Sequence, residues 1–189
     1  MDGYESKWLR SVLGIIKTFQ SDPGADLEAL RADLTQLAWV DSAPKLEAFA
    51  GGDSRFRRHP LAGAEDMGCS ALLMYWPPGH ATLPHDHGGL WGIEVVLDGE
   101  LHVDEFIKSG SDRAPVLIKS RSLCLGIGDS AAFRSARYVH RCRNVSNVAP
   151  SLTLHVYGGA LERYLAFDRD AKGVLVAEPV IAISDAPLE

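Results

Sequence analysis

The sequence predicts a mainly β protein, an antiparallel sandwich or barrel carrying an α-helical cap at its N-terminal end. Three observations carry that prediction. Helical periodicity is confined to the segment before Gly51-Gly52, ten short β-prone runs follow it, and glycine, proline, Asp-Gly and serine punctuate those runs at intervals suited to antiparallel strands. A chain of 189 residues, 46% hydrophobic and 23% charged, is long enough for one well-buried domain and cramped for two. The expectation is therefore a single domain over 1–189, with a helical segment, 1–50, packed on a β-barrel, 51–189.

Taken in order, residues 5–19 place Trp8, Leu9, Val12, Leu13, Ile16 and Phe19 at three- and four-residue spacing, one face of an amphipathic helix. Ser21-Asp22-Pro23-Gly24 stops it. Leu27, Leu30, Leu34 and Leu37 repeat the pattern behind Asp26, a capping residue, so a second helix is expected to about Trp39, and a third short turn near Lys45. The β runs then read CSALLMYW, GIEVVLDG, LHVDEFI, PVLIK, SLCLGIG, SAAF, HRCRNVS, SLTLHVY, RYLAFD and GVLVAEP. Asp98-Gly99, between VVL and ELHV, predicts a tight hairpin.

Composition narrows the partners. A formal net charge of −6 without blocks of like charge gives no electrostatic reason to expect nucleic acid or an anionic membrane, which leaves a small molecule. Three scattered cysteines, Cys69, Cys124 and Cys142, show no CxxC spacing and read as buried thiols in a reducing compartment. MDGYESKWLR lacks the cationic start and apolar core of a signal peptide, and no apolar run approaches a membrane span, so the expected location is cytoplasmic.

The chemistry concentrates in PHDHGGLWGIEVVLDGE, residues 84–100. Residues i and i+2 of a strand share a face, so His85 and His87 can aim two ring nitrogens at one metal ion; two solvated loop histidines are the plain alternative. On the SLTLHVY run, Thr153, His155 and Tyr157 alternate and also share a face, lining up a hydroxyl, an imidazole and a phenol. A structural histidine in a polar strand is the alternative there.

The spacing Gly79, His85-x-His87, Gly92, Gly99 resembles the first motif of the cupin superfamily, whose fold is a double-stranded β-helix or jelly-roll barrel. Gly92 stands where that motif carries a metal-binding glutamate. His140 and Asn144 match the end of the second cupin motif, although Ser135 and Arg137 replace its upstream proline and glycine. Three neutral imidazoles would leave a metal ion dipositive with a gap beside it, room for an anionic ligand such as a thiolate. Glu94, two residues past Gly92 on the same strand face, is the rival ligand.

Together, HDH, glycine for glutamate, HRxxNVS and LHVY resemble the thiol dioxygenases, the cysteine dioxygenase and 3-mercaptopropionate dioxygenase group of cupins, over residues 56–159. The resemblance implies Fe(II) on His85, His87 and His140, with Thr153, His155 and Tyr157 as the hydroxyl–histidine–tyrosine relay. It implies a small thiol and O2 as reactants, and Gly92 excludes the cysteine–tyrosine crosslink of the mammalian enzymes. An early-strand arginine, here Arg58 or within one slip of register Arg57 or His59, would bind the substrate carboxylate, a task suited to a planar guanidinium. Trp91 would wall the pocket or serve as a core residue, His80 would sit in the preceding turn, and His102 would be structural. The implied reaction oxidises cysteine to its sulfinate; 3-mercaptopropionate is the alternative substrate. A non-catalytic metal-binding cupin or small-acid sensor, and a cupin acting on a non-thiol substrate through Glu94, are the rival functions.

Overall fold

The computed structural model describes residues 3–21, 24, 26–49 and 55–186. The Asp22-Pro23 stop and the Gly51-Gly52 step lie outside them. Helix α1 (Gly3–Ser21) and helix α2 (Leu27–Gln36) come first, and the Asp26 side chain caps α2 by accepting from the Glu28 amide. A short 3-10 turn, Leu46–Phe49, occupies the place of the third helical turn.

Ten strands follow among the described residues: β1 (Arg57–Pro60), β2 (Ser70–Trp76), β3 (Gly92–Asp98), β4 (Leu101–Ser111), β5 (Ala114–Leu125), β6 (Ser130–Phe133), β7 (Tyr138–Arg143), β8 (Ser151–Tyr157), β9 (Arg163–Arg169) and β10 (Leu175–Ile181). One sheet has the order β1-β2-β8-β3-β6, a second the order β5-β4-β7, and β9 pairs with β10. All these pairings are antiparallel, and the chain passes between the two larger sheets at β3 to β4, β5 to β6, β6 to β7 and β7 to β8. This is the double-stranded β-helix of a cupin, with a helical cap.

Two local expectations change. Asp98-Gly99 does not close a hairpin, because β3 and β4 belong to different sheets; Gly99, at φ 73°, turns the chain across the edge between them. A Cβ there would lie 2.8 Å from both the Pro150 carbonyl oxygen and Ser151 Cβ, so the crossing needs glycine. PVLIK and the SLCL of SLCLGIG form one strand, β5, and the polar residues between them mark a bulge. There the register against β4 slips between Glu105 and Phe106 and leaves Ser120 without a ladder partner.

The larger sheet is buried on both faces. Ala71, Leu73, Ile93, Val95, Leu97, Leu152, Leu154 and Val156 pack against Trp8, Val12 and Ile16 of α1 and Leu27, Leu30 and Leu34 of α2. Residues of opposite parity, Leu72, Met74, Trp76, Val96 and Tyr157, turn to the barrel interior with Leu101, Val103 and Phe133. Such double burial explains the near-continuous apolar runs. It also makes every polar side chain on the interior face costly unless it has partners or a task.

Candidate metal centre

Backbone pairing sets the histidine geometry. Residues 84–86 lie between β7 and β9: His85 and His140 exchange both amide hydrogen bonds, at 2.9 and 3.0 Å, the Asp86 amide donates to the Leu165 carbonyl, and the Phe167 amide donates to Pro84. Asp86 holds this segment down. Its carboxylate accepts from the Leu165 amide at 2.9 Å, from the Gly88 amide at 3.2 Å and from Lys108 Nζ at 3.1 Å. His85, His87 and His140 therefore converge, with one ring nitrogen from each lying within 4.8 Å of the others.

The ring nitrogens suit a cation. His85 donates Nδ1–H to the Leu83 carbonyl at 2.9 Å, which leaves its Nε2 lone pair facing His140 Nε2 at 3.2 Å, about the separation of two nitrogens sharing one first-row ion. Both nitrogens of His87 are buried without a hydrogen-bond partner among the described residues, a costly arrangement that a metal bond would relieve. Burial, reinforced by neighbouring histidines and Arg58, drives the His87 pKa well below its ordinary value; burial and the other histidines do the same for His140. Both rings are thus neutral and offer lone pairs.

Gly92 does not leave open space. A Cβ at Gly92 would lie 2.3 Å from Phe133 Cζ, so the Phe133 ring fills the place a side chain would take, where the sequence led us to expect a gap. That ring stacks on Tyr138, centroids 4.3 Å apart, and packs 4.3 Å from the His87 ring. Glu94 is 1% exposed and faces inward, its Oε2 3.8 Å from His140 Nδ1 and 4.0 Å from His155 Nδ1. Cys142 Sγ lies 3.7 Å from the same oxygen, while Glu94 Oε1 has no partner among the described residues. Burial, with the nearby Glu105 charge, pushes the Glu94 carboxyl up to about 8.

On β8, Thr153 Oγ1 lies 2.9 Å from His155 Nε2, and Tyr157 Oη lies 3.3 Å from His155 Nδ1. Trp76 Nε1, which can only donate, binds Thr153 Oγ1 at 2.8 Å and anchors that end. Burial, with smaller effects of Arg58 and His85, holds the His155 pKa down to about 3, and burial raises that of Tyr157. Arg58, His85, His140, His155 and Tyr157 line one cavity of about 60 Å³, walled by Phe56, Met74, Trp76, Leu161 and Tyr164. Drug-sized pockets run to roughly 300–1,000 Å³, so only a small ligand fits. The register settles which basic residue reaches it. Arg58 pairs with Met74, an interior residue, whereas His59 pairs with Leu73 on the helix side.

The profile of the cysteine dioxygenase type I family matches residues 24–170, most of the chain and every residue that lines this cavity. The chain belongs to the cysteine dioxygenase type I family. Cysteine dioxygenase type 1 of Danio rerio is 26% identical over 104 residues, covering 52% of this chain and 49% of that protein. The Homo sapiens protein of the same name is 26% identical over 103 residues, covering 52% and 48%. The chain thus matches over about half the length of these curated relatives. Among solved structures, the TT1209 protein of Thermus thermophilus is 23% identical with a TM-score of 0.45, covering 60% of this chain and 93% of that one.

Within this member of the cysteine dioxygenase type I family, one expected pocket residue is displaced. Trp91 does not line the cavity: its ring meets Phe19 of α1 edge-on at 5.5 Å and covers Gly158, where a Cβ would clash at 2.1 Å. Trp91 shares the parity of Ile93, and that parity faces the helices. The aromatic walls are Phe56, Trp76 and Tyr164, which sequence reading did not assign; Trp76 was legible from its alternation with Met74. His80 sits in the turn before the motif, stacked on Phe56, and His102 accepts from Arg143 Nε at 3.1 Å as a structural residue. Asn144 pins a turn, donating to the Trp76, Pro77 and Ala149 carbonyls. Cys69 is buried as expected and Cys142 is buried at the cavity, but Cys124 is exposed.

Proposed function

We propose that this chain is a non-haem Fe(II) thiol dioxygenase that oxidises a small thiol carboxylate, cysteine first and 3-mercaptopropionate as the alternative, to the sulfinate. Both atoms of O2 end on sulfur, so RSH and O2 give RSO2H without a further reductant. The observation that carries this reading is the convergence of His85, His87 and His140, two of which, His85 and His140, line the small cavity that also holds Arg58 and Tyr157.

Fe(II) on these imidazoles would supply open coordination positions and the redox chemistry toward O2. The chain's own residues do the rest. Arg58 offers a planar fork to the substrate carboxylate, and the Ile183 carbonyl, accepting from its Nη1 at 3.3 Å, steadies the guanidinium. Tyr157, protonated and held by His155 and Thr153, presents a hydroxyl to the reacting end of the cavity. Phe56, Met74, Trp76 and Leu161 exclude water, which strengthens the Arg58 contact. Gly92, with the Phe133 ring filling the space beside it, offers no carboxylate from that position, so an anionic thiolate would balance the charge of a metal held by the three imidazoles.

The test is oxygen consumption by the iron-loaded protein with cysteine, 3-mercaptopropionate and cysteamine, with the sulfinate identified by mass. About one iron per chain and turnover of a carboxylate-bearing thiol are expected. No turnover of any thiol at full iron content would replace this reading with a metal-binding cupin that is not a thiol dioxygenase.

A further inference from the structure

A second polar series approaches His140 through residues that do not line the cavity. It begins at the surface with Arg121, whose Nη2 donates to Glu105 Oε1 at 3.0 Å while Nε donates to Oε2, a two-pronged ion pair. Glu105 is 5% exposed. Tyr138 donates its hydroxyl to the same Oε1 at 3.2 Å, and His140 Nδ1 lies 3.4 Å from that hydroxyl oxygen. The donor directions follow from chemistry. A carboxylate paired with a guanidinium only accepts, so the Tyr138 proton points at Glu105 and its lone pair faces His140. His140 Nδ1 must then be the protonated nitrogen, and its Nε2 carries the lone pair that faces His85.

The fold aims Glu105 at this task. Glu105 lies directly opposite His140 in the β4–β7 ladder and opposite Arg121 in the β4–β5 ladder, at the bulge where Ser120 drops out of register. The Ser120 hydroxyl donates to the Glu105 carbonyl at 3.1 Å and fixes the bulge. Bulges re-aim side chains beside functional sites. Two other groups stand near His140 Nδ1, Cys142 Sγ at 3.6 Å and Glu94 Oε2 at 3.8 Å, both farther than the tyrosine oxygen.

We propose that Glu105 and Tyr138 are positioning residues for the metal centre, fixing the tautomer and ring orientation of His140 through the series Arg121–Glu105–Tyr138–His140. This rests on the reading of His85, His87 and His140 as a metal site. Outer partners of metal-bound histidines typically contribute about 10–100-fold to metal affinity, and that range is the expected effect here.

The experiment titrates the full-length, metal-free protein with Co(II), reading affinity by chelator competition and the ligand-field absorption of the bound ion. Tyr138→Phe and Glu105→Gln should each weaken Co(II) binding about 10–100-fold and shift the absorption bands. Asp104→Asn, next to Glu105 on β4 but bonded to Ser122 and Lys119, should bind as the wild type does. Thermal unfolding of the metal-free variants separates a folding defect from a binding one, and Glu105→Gln, which keeps shape and volume, carries the test if Tyr138→Phe does not fold. Wild-type affinity and spectra in both variants, or an equal loss in Asp104→Asn, would overturn the positioning role and leave the proposed function standing. Failure of the wild type to bind Co(II) at all would overturn both.

Discussion

At the scale of single residues, the interior face of the larger sheet carries Arg58, Glu94, His155 and Tyr157, while the three histidines sit on the HDH span and β7, and these side chains have distinct expected signatures. Arg58→Ala should cost about 2–5 kcal/mol in kcat/KM for thiols bearing a carboxylate, because one partner of a desolvated ion pair is lost, and should leave cysteamine turnover little changed. Arg57→Ala and His59→Ala, whose positions alternate away from the cavity or fall outside its lining, should retain the wild-type preference. A collapse in either of them with an unchanged Arg58→Ala would move the anchor. Glu94→Gln is expected to keep most of the metal, measured as ions per chain, since His85, His87 and His140 converge without it. Loss as large as in His87→Ala would make Glu94 a ligand. The pairing of His85 with His87 and the shared face of Thr153, His155 and Tyr157 were legible because strand alternation records them, whereas the joining of His140 to them was reached only through the family resemblance. Glu105 and Tyr138 were not legible, because their meeting depends on two ladders and a bulge that no local pattern announces.

At the scale of elements, the HDH segment is held as a short clamped span between β7 and β9, and its clamp is the Asp86–Lys108 pair, with side chains 8% and 18% exposed. Burial pulls the Lys108 pKa down, but the hydrogen bond and charge of Asp86, with Asp112, outweigh it and raise the pKa. A raised lysine contributes stability that is fully present below its unfolded pKa, about 10.4, and is lost as pH rises through the folded value. Lys108→Met should therefore lower stability by about 3 kcal/mol at pH 7, and its gap from the wild type should narrow in the alkaline range. Denaturant midpoints measured from neutral to alkaline pH check both statements. Apolar runs and punctuation located β2 to β10, but the short, polar β1, Arg57–Pro60, lay outside every run, and strand partnership was not legible. Asp98-Gly99 has hairpin chemistry, yet the next strand joins the opposite sheet, and the polar break in β5 is a bulge instead of a turn. Pairing is decided by which faces must be buried, and a turn dipeptide does not record that.

For the molecule as a whole, α1 and α2 cover the outer face of the sheet whose inner face bears His155 and Tyr157, so the helices bear on stability and the inner face on chemistry. Ile16→Ala, at a fully buried site between α1 and the sheet, should cost about 2–5 kcal/mol, seen as a lower denaturation midpoint at unchanged slope, with metal content per folded chain preserved. Loss of metal in the folded variant would show that the helical layer also shapes the centre. Trp91 belongs to this layer: its placement was open in the sequence, and counting parity from Ile93 resolves it toward the helices. The burial of both sheet faces also governs which changes of chain length the protein can accept. Inserting or deleting one residue within β3 or β8 exchanges the two faces beyond that point, sending Glu94 or His155 into the helix-covered core and an aliphatic side chain into the cavity. Such a change removes stability and chemistry in one step, with no intermediate that keeps either. Length variation is therefore confined to connections, and the exposed outer half of the β4–β5 pair, where Ile107, Val116 and Ile118 already face solvent, is the place for an added loop or tag.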